Sequence, residues 1–286
     1  MSEQKDPMHD FWEQGLSAIH REFSQNLAGM QKYCELCEVS FYGRTPNYSS
    51  PTQQHLYLLR YFSAYLFEYF EAFSLLKQSN FLTQPQIVSF GCGSGIDGAA
   101  ARFAFSQCSY MGIDLVAWNP WFLPQPPALM NASEFIPSTQ DVFVFPKSLS
   151  ELPDGIVTAL AENLPTTSAQ KVCIINSRRT RDSSDGDKCT RLLQAFGSTN
   201  NNTQLFEVVP NKGALVYYQR WFSYPDDISR HIKTLSSRCP SSSGTGTDCC
   251  AYSTCKPCAG KSKKPMEWNP VFTDVNFCTQ IYLIQR

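Results

Sequence analysis

Three glycines, Gly91, Gly93 and Gly95, stand at alternate positions directly after the apolar run Ile87-Val88-Ser89-Phe90. A residue without a Cβ accepts positive φ and lets a ligand lie against bare backbone, so this loop has the chemistry of a nucleotide cradle. Asp114 closes a second apolar stretch, Tyr110–Ile113, at the remove of ~20 residues expected of a carboxylate that grips ribose hydroxyls. Asp97 opens the alanine-rich segment between them, where free backbone N–H groups would face the same ligand. A third group, Lys147, Ser148 and Glu151, follows the run Asp141–Phe145 and is suited to substrate-side chemistry. The same serine, with Ser150, also suits a helix cap. Arg178, Arg179 and Arg181 form a cationic trio just past the next apolar run, open to an anionic substrate or to solvent.

These groups need a frame. Ile87–Phe90 reads as a buried strand, Asp97–Ser106 as a helix and Tyr110–Ile113 as a second strand. Strand, glycine loop, helix, strand and acid in that order make up half of a doubly wound sheet. Two cofactor patterns fit it. Gly93-Ser-Gly95-Ile-Asp-Gly98 satisfies the dinucleotide spacing G-x-G-x-x-G. Gly91-Cys-Gly93-Ser-Gly95, taken with the flanking strand and Asp114, resembles motif I of the class I S-adenosylmethionine-dependent methyltransferases.

That resemblance implies a cofactor and a set of roles. S-adenosylmethionine would be held by Ser89, Gly91, Cys92, Gly93, Gly95, Asp97, Asp114 and Leu115. In that family the end of the fourth strand faces the transferring methyl, which makes Lys147, Ser148 and Glu151 the catalytic candidates. The aromatic loop Trp118–Phe122 would lie beside the adenosine, a placement that packing alone also explains. One departure stands out: the family usually carries Asp or Glu where this chain has Ser89. A serine hydrogen-bonds but brings no charge, and Asp97 is the nearby acid able to compensate.

The remaining patterns extend the sheet. Asp141–Phe145, Lys171–Asn176, Gln204–Val209, Ala214–Tyr218 and Thr279–Arg286 predict strands, and Asp154–Asn163 and Asp187–Phe196 predict helices. The expected fold is α/β, a doubly wound and mostly parallel seven-stranded sheet with a late antiparallel strand. Such a strand, inserted beside the fifth, matches the methyltransferase plan and is foreign to the dinucleotide dehydrogenases. Amphipathic helices at Phe11–Cys37 and Gln53–Lys77 predict an N-terminal helical cap over residues 1–80, the second helix packing on the sheet and covering the cofactor cleft. Residues 81–286 form the Rossmann-like domain, with a Cys-, Ser- and Lys-rich insertion at about 236–264.

Composition narrows the function classes. A net charge of −1 over 286 residues excludes a whole-protein polyelectrolyte binder, and 42% apolar residues support a sizeable core. There is no basic-then-apolar leader, and no stretch reaches the roughly 18 apolar residues of a membrane span, so a cytoplasmic protein is expected, with the nucleus as the secondary compartment. Twelve cysteines include Cys92, Cys173 and Cys278 in strand-like settings, a Cys34/Cys37 pair, and the cluster Cys239, Cys249, Cys250, Cys255 and Cys258. Cys255-Lys-Pro-Cys258 has a spacing that zinc accepts, but a flexible loop with free thiols is the preferred reading. Lys256, Lys261, Lys263 and Lys264 make this segment locally basic and admit contact with nucleic acid. The partner is a methyl acceptor of unspecified class: small molecule, protein or RNA. The competing readings are a non-catalytic scaffold that keeps the fold and, on the Gly93–Gly98 spacing, an NAD-dependent oxidoreductase.

Overall fold

The computed structural model describes residues 7–29, 48–179, 183–198, 201–208, 222–230, 271 and 277–286. The chain divides into two compact units. One comprises Met1–Ser63 with Tyr217–Phe272, the other Ala64–Val216 with Thr273–Arg286.

In the first unit, helix α1 (Pro7–Gly29) buries Trp12, Leu16, Ile19 and Phe23 completely, at the three- and four-residue steps of a helical stripe. Trp12 donates its indole N–H to Ser63 Oγ at 2.8 Å and meets the ring of Phe222 edge-on at 5.4 Å. Helix α2 (Pro51–Gln78) begins with proline at its first turn, where the missing N–H has no helical partner to lose. It supplies residues to both units.

The second unit is built on seven strands: β1 (Gln86–Phe90), β2 (Ser109–Asp114), β3 (Ala128–Leu129), β4 (Val142–Pro146), β5 (Lys171–Arg179), β6 (Thr203–Val208) and β7 (Phe277–Gln285). Their order is β3-β2-β1-β4-β5-β7-β6. The β1–β5 ladders are parallel, and β7 runs antiparallel between β5 and β6. The α/β doubly wound sheet with its late antiparallel strand is therefore as expected. β3 had no sequence signal: two residues behind a proline-rich loop carry no periodicity. The anticipated strand at 214–218 lies outside the described residues, as do residues 30–47 and the cysteine-rich segment. One boundary changes a site reading. β5 runs on to Arg179, so Arg178 lies within the strand, opposite Cys278 of β7, and not beyond its end. The nine-residue partner β7 supplies the ladder bonds that the polar residues of β5 do not advertise.

Alternation along the strands sends two sets of side chains to opposite faces. Val88, Phe90, Phe143, Phe145, Val172 and Ile174 form one core with Val157 and Leu160 of α4 (Asp154–Asn163) and Leu192 of α5 (Ser183–Ala195). Phe90 stacks on Phe145 at 5.2 Å, and each such fully buried ring contributes roughly 1.5–3 kcal/mol. The opposite face carries Ile87, Ser89, Val144 and Ser177. The second half of α2 packs there through Glu68, which reaches β5 and β7. Between β1 and β2 lies α3 (Ile96–Ala104), with Ala99, Ala100 and Ala101 all buried. The strand order reverses between β1 and β4, and in such sheets ligands gather at the carboxyl ends of the strands flanking that reversal.

Candidate cofactor and acceptor site

Both loops at the reversal carry residues singled out above. The β1–α3 loop turns on Gly91, Gly93 and Gly95, whose φ values of 69°, 56° and 77° fall in the left-handed region that favours glycine. The bare backbone expected to receive a ligand is, on the Cβ side, used partly by the protein itself. A Cβ on Gly91 would stand 2.7 Å from Ser148 Cβ, and one on Gly95 would stand 2.8 Å from the Trp121 ring. The aromatic loop after β2 thus packs against the glycine loop, and Phe122 N–H donates to Ser94 O at 3.1 Å. Trp118 is buried over Gly93.

Asp114 ends β2 and clasps this loop. Its Oδ2 accepts the Gly93 N–H at 2.8 Å, and its Oδ1 accepts the Val116 N–H at 3.0 Å. Gly91 and Cys92 donate to Ile113 O, so the turn is pinned to β2 at three amides. Burial raises the Asp114 pKa, opposed by the backbone N–H groups of Gly93, Val116 and Leu115. Leu115 itself is 70% exposed, and Cys92 is buried with its thiol pKa pushed well up, chiefly by desolvation.

Ser89 and Asp97 meet on the α2/α3 side of the sheet. Both are buried. Tyr110 of β2 donates its hydroxyl to Asp97 Oδ1 at 2.9 Å. Asp97 Oδ2, Ser89 Oγ and the buried Ser94 Oγ have no hydrogen-bond partner of regular geometry. Desolvation pushes the Asp97 pKa up to about 6 against the pull of Ser89, Tyr110 and backbone N–H groups. The loop thus combines a carboxylate at the end of β2, a turn of left-handed glycines, and buried polar atoms without partners of regular geometry. These groups fit a nucleoside cofactor with a charged tail.

The β4 end is of a different kind. Lys147 adopts φ 60°, a left-handed conformation that costs a non-glycine residue about 1–3 kcal/mol. Its Nζ lies 2.7 Å from Glu68 Oε2, donates to Ser177 Oγ at 2.7 Å, and sits 4.5 Å from the centre of the Tyr65 ring. Glu68 Oε1 in turn accepts from Ser177 Oγ at 2.8 Å and from Thr279 Oγ1. Ser148 donates to Phe90 O at 2.5 Å, binding this loop to the end of β1. Glu151 is exposed on the following turn. Of the three catalytic candidates, Lys147 and Ser148 are buried in the fold's own hydrogen bonds, while Glu151 is exposed and its N–H donates to Ser148 O at 2.9 Å. Sequence reasoning missed both Glu68 and Lys188. Lys188 of α5 donates to the carbonyls of Leu149, Ser150 and Leu152 at 3.3, 3.1 and 2.6 Å, closing the loop from its other side. A lone buried acid in an aromatic helix and a lysine in a polar helix gave no local signal of these roles.

Among the described residues, the one group of metal-ligating side chains is His9, Asp10 and Glu13 on α1. The Cys239–Cys258 cluster, the Cys34/Cys37 pair and Lys256, Lys261, Lys263 and Lys264 lie outside those residues. No described helix is long and apolar enough to cross a membrane.

No family model and no curated protein matches the chain. Similar solved structures include the plantazolicin methyltransferase BpumL in complex with SAH, 10% identical, covering 94% of this chain and 99% of that one, at a TM-score of 0.47. The mitomycin 7-O-methyltransferase MmcR is 17% identical over 72% of this chain and 66% of that one, at 0.34. A SAM-dependent methyltransferase from Aquifex aeolicus is 13% identical over 56% and 92%, at 0.39. These likenesses are distant, and the strand order speaks for itself. With antiparallel β7 inserted beside β5 and the glycine loop at the reversal, the sheet has the strand plan that the resemblance to class I methyltransferases implies.

Proposed function

We propose that this protein is an S-adenosylmethionine-dependent methyltransferase. The observation that carries the reading is the clasp between Asp114 and Gly93 at the carboxyl end of β2, beside a turn of three left-handed glycines. Asp114 keeps lone pairs beyond those given to Gly93 and Val116, and these suit ribose hydroxyls. The Gly91–Gly95 loop, with Cys92 at its base, forms the floor, while Ser89 and Asp97 supply polar groups behind it and Leu115 borders it. Held there, the cofactor would supply a sulfonium methyl, a one-carbon electrophile with a neutral thioether as its leaving group.

The chain's own contribution is then mainly alignment, which is worth much of the barrier in a two-partner transfer. Lys147 and Ser148 act as positioning residues, since their polar atoms are committed to Glu68, Ser177 and Phe90. Glu151, exposed on the same loop, is the candidate to meet the acceptor. A second reading, a non-catalytic binding protein on the same fold, draws on that same commitment of Lys147 and Ser148. Asp114→Ala tests the first. Charge-assisted hydrogen bonds contribute roughly 1.5–3 kcal/mol each, so S-adenosylmethionine affinity should fall by about ten- to a hundredfold with the melting temperature little changed. Unchanged affinity in the variant would sink the assignment.

A further inference from the structure

The buried charges on the α2/α3 face of the sheet do not balance. Glu68 has Lys147 at 2.7 Å, with both side chains only 5% exposed. Asp97, 1% exposed, has no ion-pair partner among the described residues. The groups acting on it are Ser89 from β1, Tyr110 from β2 and backbone N–H groups of its own helix. Its charge in turn acts on Cys92 in the glycine loop and on Tyr69 of α2. Among these described groups there is no lysine, arginine or histidine. By regular hydrogen-bond geometry, one carboxylate oxygen, Oδ2, and the neighbouring Ser94 hydroxyl are unpartnered, and Ser89 stands close enough to act on Asp97 without a regular bond.

A buried carboxylate without a cation is costly, and natural folds rarely keep one without a use. Its field is only weakly screened in a dry interior, so it acts on any charge placed in the adjoining loop. The cofactor of the proposed reaction changes charge as it is used: the sulfonium carries a positive charge, and the thioether left after transfer carries none.

We propose that Asp97 makes the site charge-selective, favouring the sulfonium form of the cofactor over the spent thioether. This rests on the methyltransferase reading above. It acts on the exchange of spent cofactor for fresh, and not on the bond-breaking step. It also gives the chain an acid at α3 in exchange for the charge that Ser89 does not bring. The raised Asp97 pKa supports the same conclusion, because an anion lacking a cation is the one a bound cation stabilises most. Each unit by which bound sulfonium lowers that pKa is a tenfold loss of affinity once Asp97 is protonated.

Calorimetric titration of the full chain with S-adenosylmethionine and with S-adenosylhomocysteine, at pH 7.5 and pH 5, tests this in wild type and Asp97→Asn. At pH 7.5 the variant should lose about tenfold for S-adenosylmethionine and less than about twofold for S-adenosylhomocysteine. Wild type should show the same selective loss on moving to pH 5, and the variant should not. The wild-type pH comparison needs no variant and decides the matter should Asp97→Asn not fold. Equal changes for the two ligands, or none, would overturn the proposal while leaving the methyltransferase reading intact. Failure of both ligands to bind wild type would instead remove the reading on which it rests.

Discussion

The carboxyl ends of β1 and β4 flank the same reversal of strand order, yet they spend their polar groups in opposite ways. At β1 the backbone turns on glycines, and three buried side chains, Ser89, Ser94 and Asp97, keep atoms without partners. At β4 the side chains of Lys147 and Ser148 and the carbonyls of Leu149, Ser150 and Leu152 all have partners within the fold. An unmade buried hydrogen bond costs about 1–3 kcal/mol, so the first arrangement is tolerable where a ligand completes it. The second is a frame. On the proposed reading, recognition falls to β1 and β2, and β4 has the task of holding its loop still.

The comparison breaks most visibly at Glu68. Removing one partner of a buried ion pair strands the other charge, and Glu68→Ala should lower unfolding stability by about 3–5 kcal/mol in urea titration. Replacing both partners, Glu68→Met with Lys147→Met, should recover most of that loss. A single variant as stable as wild type would show that the pair frames nothing.

At β1 the sign reverses. Asp97 has its native pKa raised from 3.8 to about 6, so the folded state holds the proton more tightly than the unfolded chain. Its contribution to stability is full below about pH 4 and is lost as pH rises through 6. Asp97→Asn should therefore stabilise the ligand-free protein at pH 7.5 by on the order of 2–3 kcal/mol, the gain vanishing towards pH 4. Thermal melts of the two proteins across that range read the difference directly. A loss of stability at pH 7.5 would mean that Asp97 is a satisfied structural acid.

The smallest expected effect is at Lys188. Its three carbonyl contacts are partly solvated, so Lys188→Ala should cost about 1 kcal/mol. Amide exchange at Glu151 and Leu152 should quicken in that variant while the core strands stay protected. Unaltered exchange would show that the loop holds itself.

Much of this frame could be read along the chain. β1, β2 and β4 are short apolar runs, and the glycines and Asp114 follow them at recognisable spacing. Helix α4 spans the residues that its pattern predicts. What escaped was non-local. The Lys147–Glu68 pair joins residues 79 positions apart, and nothing near either one announces the other. β5 extends through Arg178 because β7 pairs with it, a tertiary cause that strand propensity does not record. Gly95 was legible as a glycine that a turn requires, but not as the floor on which Trp121 packs. Asp97 was placed near the cofactor by its position at the start of α3; that it would be buried without a cation depends on Tyr110 and Ser89 from two other strands.

The central claim is that the β1–β2 end of the sheet binds S-adenosylmethionine. Calorimetric titration of the full chain with S-adenosylmethionine and, separately, with NAD tests it most directly. The account predicts one saturable site per chain for S-adenosylmethionine and none for NAD. Saturable binding of NAD with no heat from S-adenosylmethionine would contradict it.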